Sequence, residues 1–261
     1  HTDLARGKWK PFMQGYPYRV PDFPPPSREM LAHAIQHSGR SAPGRGGVTG
    51  RAYRECFETS LEVLGDCMES FIDPGASAPP QAFFNAMLVC PQKVEPYEID
   101  EGVSGVSVDE TRPLSLHEQS FRYLFVAFAH AFGKVVKSTV IDTQDGFLIS
   151  TVASIVEADA ALHWAFRRRK RQGGLLGDMQ RAFPSVDHDF QEWMMTTLDV
   201  PVWFRTVARR GFFRVNHVMI GCCTQGGSIE RFSIRVGLMS TGITQGNPLS
   251  ALWFLAVFNP L

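Results

Sequence analysis

The sequence has no uninterrupted apolar run near the roughly 18 residues a membrane helix needs, so no membrane partner is expected. It has no signal-peptide pattern: the first residue is His1, and no charged-then-apolar leader follows. The chain stops at Leu261, just beyond the apolar run 251–258, so both ends read as cut from something longer. Cysteine is scarce and odd in number. The five are Cys56, Cys67, Cys90, Cys222 and Cys223, with no C-x-x-C pair. That pattern supports neither a disulfide framework nor a zinc knuckle, and it fits a reducing, intracellular setting. The vicinal pair Cys222 and Cys223 is expected at a strand end or turn. Net charge is also missing, with 26 basic against 26 acidic residues. The balance hides an asymmetry: residues 1–159 carry 14 Lys and Arg against 20 Asp and Glu, and residues 160–261 carry 12 against 6. The basic half can attract a phosphate backbone by counterion release, or it can simply neutralise the acidic half.

What is present is a 261-residue chain, 44% hydrophobic and 20% charged, long enough for one large or two smaller cores. Its first fixed point is 175–188, LLGDMQRAFPSVDH. A short apolar run follows the break at Gly173 and Gly174 and predicts a brief buried strand. Asp178 stands where that strand ends. A carboxylate there costs free energy to bury unless a cation meets it. An ion pair with Arg181 or a solvated strand end would satisfy it. The second fixed point is 242–249, GITQGNPL, whose Gln245 lies 67 residues beyond Asp178.

Between and before these points the chain alternates helical and extended signals. Residues 1–28, rich in proline and aromatics, predict an irregular, partly disordered lead-in, and 30–36 a short helix. Apolar residues Phe57, Leu61, Leu64, Met68 and Phe71 predict a helix over 54–71. Residues 86–90 predict a strand, and the acidic, glycine-containing 95–110 an exposed loop. Residues 119–136, with Phe121, Leu124, Phe125, Phe128 and Phe132 on one side, predict a long helix. Another amphipathic helix over 152–166 runs into Arg167, Arg168, Arg169, Lys170 and Arg171. That run suits a nuclear-import signal, a phosphate-backbone patch, or a solvated helix end favoured by the dipole. Asp189 with Glu192 predicts a helix start, and Pro201 a further helix that Gly211 ends. Residues 212–220 and 232–236 predict paired strands joined through 225–228. Asn247 and Pro248 predict the start of a final helix, apolar nearly all round and therefore buried.

Residues 178–186, DMQRAFPSV, and 242–250, GITQGNPLS, together resemble the palm of reverse transcriptases, most closely those of non-LTR retroelements and group II introns. There the two stretches run roughly D-x-x-K/R-A-F-x-S-V and G-x-x-Q-G-x-P-L-S, in this order. Three flanking stretches add to it. SAPGRGG at 41–47 is similar to S-A-P-G-x-D-G, with Arg45 and Gly46 where that family has an acid before glycine. RPLSL at 112–116 is similar to R-P-I-S-L. QDGF at 144–147 is similar to Q-x-G-F, although Ser150 and Thr151 stand where an arginine is usual. The resemblance covers about residues 38–261.

The resemblance implies an α+β, right-hand polymerase fold: a lead-in at 1–37, a fingers region at 38–174, and a partial palm at 175–261, with the thumb absent. It implies an RNA-directed DNA polymerase whose partners are an RNA template, a DNA primer and deoxynucleoside triphosphates; the expected setting is intracellular and nuclear. Asp178 would be the catalytic carboxylate, and with the Met179 carbonyl it would bind magnesium, with manganese as an alternative. Lys93 and Arg112 would contact the triphosphate; solvated loop cations are the plain alternative. Phe183 would exclude a ribose 2′-hydroxyl, or be a core aromatic. Gln245 and Gly246 would pack beside the incoming base, or form only a helix-entry turn. The paired aspartates of the family's x-A-D-D hairpin have no match here, and one aspartate does not hold two metals, so this fragment alone is expected to be inactive. The rival expectation is a non-catalytic retroelement remnant or a maturase-like RNA-binding domain. A nuclease is disfavoured because no second acid cluster has metal-ligand spacing.

Overall fold

The computed structural model describes residues 19–37, 39, 42–100, 103–136, 138, nine positions between 156 and 168, 182–213, 215–225, 228–239 and 241–258. Three helices lead this part of the chain: α1 (Arg28–Gln36), α2 (Gly50–Glu55) and α3 (Phe57–Ile72). The Ser27 hydroxyl caps α1 by accepting from the Met30 amide. The helix expected from Arg54 is broken at Cys56, and the apolar stripe then buries Leu64, Met68 and Phe71. The described lead-in, 19–27, is irregular as expected but well anchored. Val20 and Phe23 are buried, the Val20 amide donates to Leu198 O at 2.8 Å, and Trp203 Nε1 donates to Phe23 O at 3.0 Å.

Strand β1 (Asn85–Val89) is followed by a correction to the expected loop. Residues 95–110 hold a small hairpin, β2 (Tyr97–Asp100) against β3 (Val103–Gly105), and a 3-10 turn at Val108–Glu110. The Tyr97 hydroxyl donates to the Glu110 carboxylate at 2.9 Å and ties the hairpin to that turn. Strand β4 (Leu114–Leu116) then returns antiparallel to β1, with Leu88 opposite Ser115.

Helix α4 (Gln119–Val136) has the predicted bounds, and Phe121, Leu124, Phe125, Phe128 and Phe132 are all fully buried. It packs against α1 and α3. The described residues from Val156 to Arg167 are helical. Beyond them come α5 (His188–Thr197), α6 (Val202–Phe212), β5 (Asn216–Gln225), β6 (Ser228–Leu238) and α7 (Ser250–Phe258). Asp187, rather than Asp189, caps α5; its carboxylate accepts from the Phe190 amide at 3.1 Å. Gly211 does not end α6 but lies inside it. A Cβ there would stand 2.0 Å from Phe125 Cζ, so the glycine lets α6 approach the α4 core. Phe212 is accordingly helical, and β5 begins at Asn216. That strand continues to Gln225, so Cys222 and Cys223 sit within it, opposite Arg231 and Glu230. Asn247 forms a turn, its side-chain oxygen accepting from the Leu249 amide at 2.9 Å, and α7 starts only at Ser250. Trp253, Leu255, Ala256 and Val257 bury α7 as its composition requires.

The larger sheet runs β4-β1-β5-β6, with β1 parallel to β5 and the other pairs antiparallel. The architecture is therefore mixed helix and sheet, in agreement with an α+β class. Strands from both 38–174 and 175–261 share this one sheet. The helical core is closed by a buried cation: Arg210 donates to the carbonyls of Ser70, Phe71 and Ala76 at 2.8, 2.9 and 2.6 Å. Two of these belong to the last turn of α3, where the dipole favours positive charge. Among the described residues no helix is long and apolar enough to cross a membrane.

Candidate functional site

Three segments far apart in sequence are linked through one loop. The first is the turn at 183–187, the second the loop at 241–247, and the third is β4. The turn and the loop are zipped together by main-chain groups. The Gly242 amide donates to Val186 O at 2.7 Å and the Ile243 amide to Phe183 O at 2.9 Å. The Thr241 hydroxyl adds a contact to Pro184 O at 3.3 Å. Gly242 has φ +92°, and a Cβ there would stand 2.8 Å from Pro184 Cα, so glycine is required on both counts. The far end of the loop lies on β4: the Ser115 amide donates to Gln245 O at 2.7 Å. Gly246, at φ +107°, passes so close that a Cβ would be 2.3 Å from Ser115 O. The loop thereby covers the outer edge of β4, whose polar groups would otherwise face solvent or a foreign strand.

Gln191 holds this arrangement from behind. It is fully buried on α5, donates to Val186 O at 3.2 Å and Gly242 O at 3.3 Å, and accepts from Trp253 Nε1 at 3.0 Å. His188 Nε2 donates to the same Gly242 carbonyl at 2.9 Å. Burial lowers the His188 pKa, and the bond to Gly242 O offsets part of that. Ser115 carries a second bond on its hydroxyl, 2.7 Å from His217 Nε2. Burial lowers the His217 pKa as well. His117, just past the end of β4, is 1% exposed, and neither ring nitrogen has a hydrogen-bond partner among the described residues. Its ring stacks on Phe121 at 4.3 Å. Burial first, then the nearby His217 and Arg122, push its pKa down to about 3. The imidazoles behind the loop are thus held toward their neutral forms. The glycine loop near the front of the chain docks onto the next residue, its Gly46 amide donating to Glu118 Oε1 at 2.7 Å.

The expected site residues distribute as follows. Gln245 and Gly246 lie against β4, and Phe183 lies at the other end of the same loop. The Phe183 ring is half-buried and stacks on Phe254, with centroids 4.4 Å apart and planes 13° apart. Lys93 and Arg112 are exposed and stand on adjoining stretches that extend the β1–β4 pairing. The Lys93 amide donates to Glu110 O at 2.7 Å and the Arg112 amide to Pro91 O at 2.9 Å. The Lys93 ammonium reaches Asp109 O at 3.2 Å. Arg167 and Arg168 are exposed at a helix end, with the Arg168 guanidinium 5.3 Å from the centre of the Trp164 ring. Asp178 and Met179 lie outside the described residues, as do Arg169, Lys170 and Arg171, the strand expected at 175–178, and the QDGF stretch. Among the described residues no three His, Cys, Asp or Glu side chains are grouped to hold a metal ion.

Reasoning from sequence did not single out Gln191, His117, His217 or Glu118. Gln191 leaves a faint signal, since Met194, Met195 and Leu198 fall three, four and seven positions on, on the same helix face. Glu118 and His217 leave none, because their partners lie 72 and 102 residues away, and His117 leaves none because its burial comes from the tertiary packing. No protein-family model matches the chain, and no curated protein sequence matches it significantly.

Proposed function

We propose that this chain is the fingers and the first part of the palm of a reverse transcriptase of the non-LTR retroelement or group II intron type. The whole enzyme would extend a DNA primer on an RNA template. One observation carries the reading. The two stretches with palm-like sequences, whose first residues are 64 positions apart, bond to each other through Phe183, Val186, Gly242 and Ile243, and the second also lies on the RPLSL strand through Ser115 and Gln245. Three resemblances that could each arise by chance therefore share one locus.

In this reading each residue has a defined task. Arg112, exposed beside β4, offers a planar fork suited to triphosphate oxygens, and Lys93 a point charge. Phe183, braced by Phe254, blocks a ribose 2′-hydroxyl and so favours deoxynucleotides. The Gln245–Gly246 main chain, fixed on β4, forms a rigid wall for the incoming base. Asp178 and the Met179 carbonyl are hard oxygen donors of the kind magnesium takes. One carboxylate is too few for a pair of ions, so further carboxylates must complete the site. Magnesium, when bound, would stabilise the attacking and leaving oxygens of nucleotidyl transfer.

The test is magnesium-dependent nucleotide binding by the chain mixed with a primed RNA template. Deoxynucleotide should bind in preference to ribonucleotide. Phe183→Ala should erase the preference while leaving deoxynucleotide binding, and Asp178→Asn should remove the magnesium dependence. No magnesium-dependent binding of either nucleotide, in a parent chain extended to supply the further carboxylates, would leave the remnant or RNA-binding reading in its place.

A further inference from the structure

Ser115 makes two bonds in opposite directions. Its amide holds Gln245 O at 2.7 Å, and its hydroxyl meets His217 Nε2 at 2.7 Å across 102 residues of sequence. Ser115 and His217 are 3% and 8% exposed, so water competes little for either bond. The sheet explains how two strands that are not neighbours reach each other. β1 lies between β4 and β5, and Ala86 of β1 pairs directly with His217. Leu88, two residues along β1 from Ala86, pairs directly with Ser115. Side chains in one row share a face, and those two apart along a strand share it too. Ser115, Leu88, Ala86 and His217 therefore stand on one face, and the Ser115–His217 bond crosses it diagonally past the small methyl group of Ala86.

We propose that Ser115 and His217 form a positioning unit for the Gln245–Gly246 loop. His217 fixes the Ser115 hydroxyl, which fixes the three-residue strand β4, and β4 in turn holds the loop at the distance set by the Ser115–Gln245 bond. A strand of three residues at a sheet edge has few bonds of its own, so a side-chain anchor from β5 carries a large share of its order. The consequence for base-side geometry rests on the function proposed above; the coupling between His217 and the loop does not.

The experiment has two arms on the 261-residue chain. The first is amide hydrogen exchange at Ser115 in wild type, Ser115→Ala, Ser115→Thr and His217→Phe. Exchange of the Ser115-position amide should rise at least tenfold in His217→Phe and Ser115→Ala. It should stay within a few-fold of wild type in Ser115→Thr, which keeps the hydroxyl, and amides in the middle of α4 should not change in any variant. His217→Gln keeps a polar partner at similar reach and guards against misfolding of the phenylalanine variant; it should fall between. An unchanged Ser115 amide in both His217 variants, or equal acceleration there and in α4, overturns the inference. The second arm compares deoxynucleotide binding in the same variants. A weakened affinity with an unaltered melting temperature extends the coupling to the proposed nucleotide site. If wild type binds no nucleotide, the exchange arm alone decides the positioning unit.

Discussion

His117 makes the stability of this protein sensitive to acid in a way one substitution should remove. Its neutral ring is buried at 1% exposure with both nitrogens unpartnered among the described residues. In the folded chain its pKa is about 3, against an ordinary 6.5. The folded pKa is depressed, so below pH 6.5 the unfolded chain takes up a proton that the folded chain refuses. Stability is therefore intact above pH 6.5 and drains away as pH falls toward 3. Each pH unit in that window is worth about 1.4 kcal/mol, so at pH 4.5 the loss from this residue alone is on the order of 2–3 kcal/mol. His117→Leu removes the titration. At neutral pH it also relieves an unsatisfied buried polar group, worth roughly 1–3 kcal/mol, and gives up a ring stack on Phe121 worth about 0.5–1.5 kcal/mol. The two nearly cancel, so the variant should match or slightly exceed wild type at pH 7.5. The assay is urea unfolding of both proteins at pH 7.5 and 4.5. Other acid-sensitive groups, His188 and His217 among them, are common to both and drop out of the comparison. The variant should lose about 2–3 kcal/mol less than wild type on acidification; equal losses would refute the reasoning.

Arg210→Met should destabilise the chain by about 2–4 kcal/mol in urea unfolding, because the Ser70, Phe71 and Ala76 carbonyls, all at least partly buried, lose their charged donor. Gly246→Ala should cost about 1–3 kcal/mol and detach the loop from β4, seen as faster exchange of the Ser115 amide, since the new methyl would meet Ser115 O at 2.3 Å in a backbone conformation alanine disfavours. Replacing Arg167, Arg168, Arg169, Lys170 and Arg171 by alanine should weaken binding to single-stranded RNA without sequence preference. It should also flatten the log–log salt slope by about 0.7 for each phosphate that is no longer neutralised. An unchanged slope would assign that run to a solvated helix end.

What could be read ahead of the structure, and what could not, divides along the range of the forces involved. The phenylalanines of α4 were legible because a 3.6-residue period lies within one short window. The capping residue of α5 was misplaced by two, because Asp187 and Asp189 both satisfy the local pattern and only the bond to the Phe190 amide distinguishes them. Gly211 reads locally as a stop, yet it is a close-approach residue inside α6, and its reason, the Phe125 ring, lies 86 positions earlier. The candidate site is the extreme case. Its residue types marked the important segments, but the bonds joining them use main-chain groups that every residue but proline carries. Nothing in a serine at 115 or a glutamine at 245 declares that the amide of one meets the carbonyl of the other across 130 positions. The one trace such a bond can leave in a sequence is negative: a place where a side chain would not fit. Gly242 and Gly246 are that trace, each with positive φ and each with a neighbouring backbone inside the space of a Cβ. The glycines of the loop, more than its glutamine, therefore encode how the site is assembled.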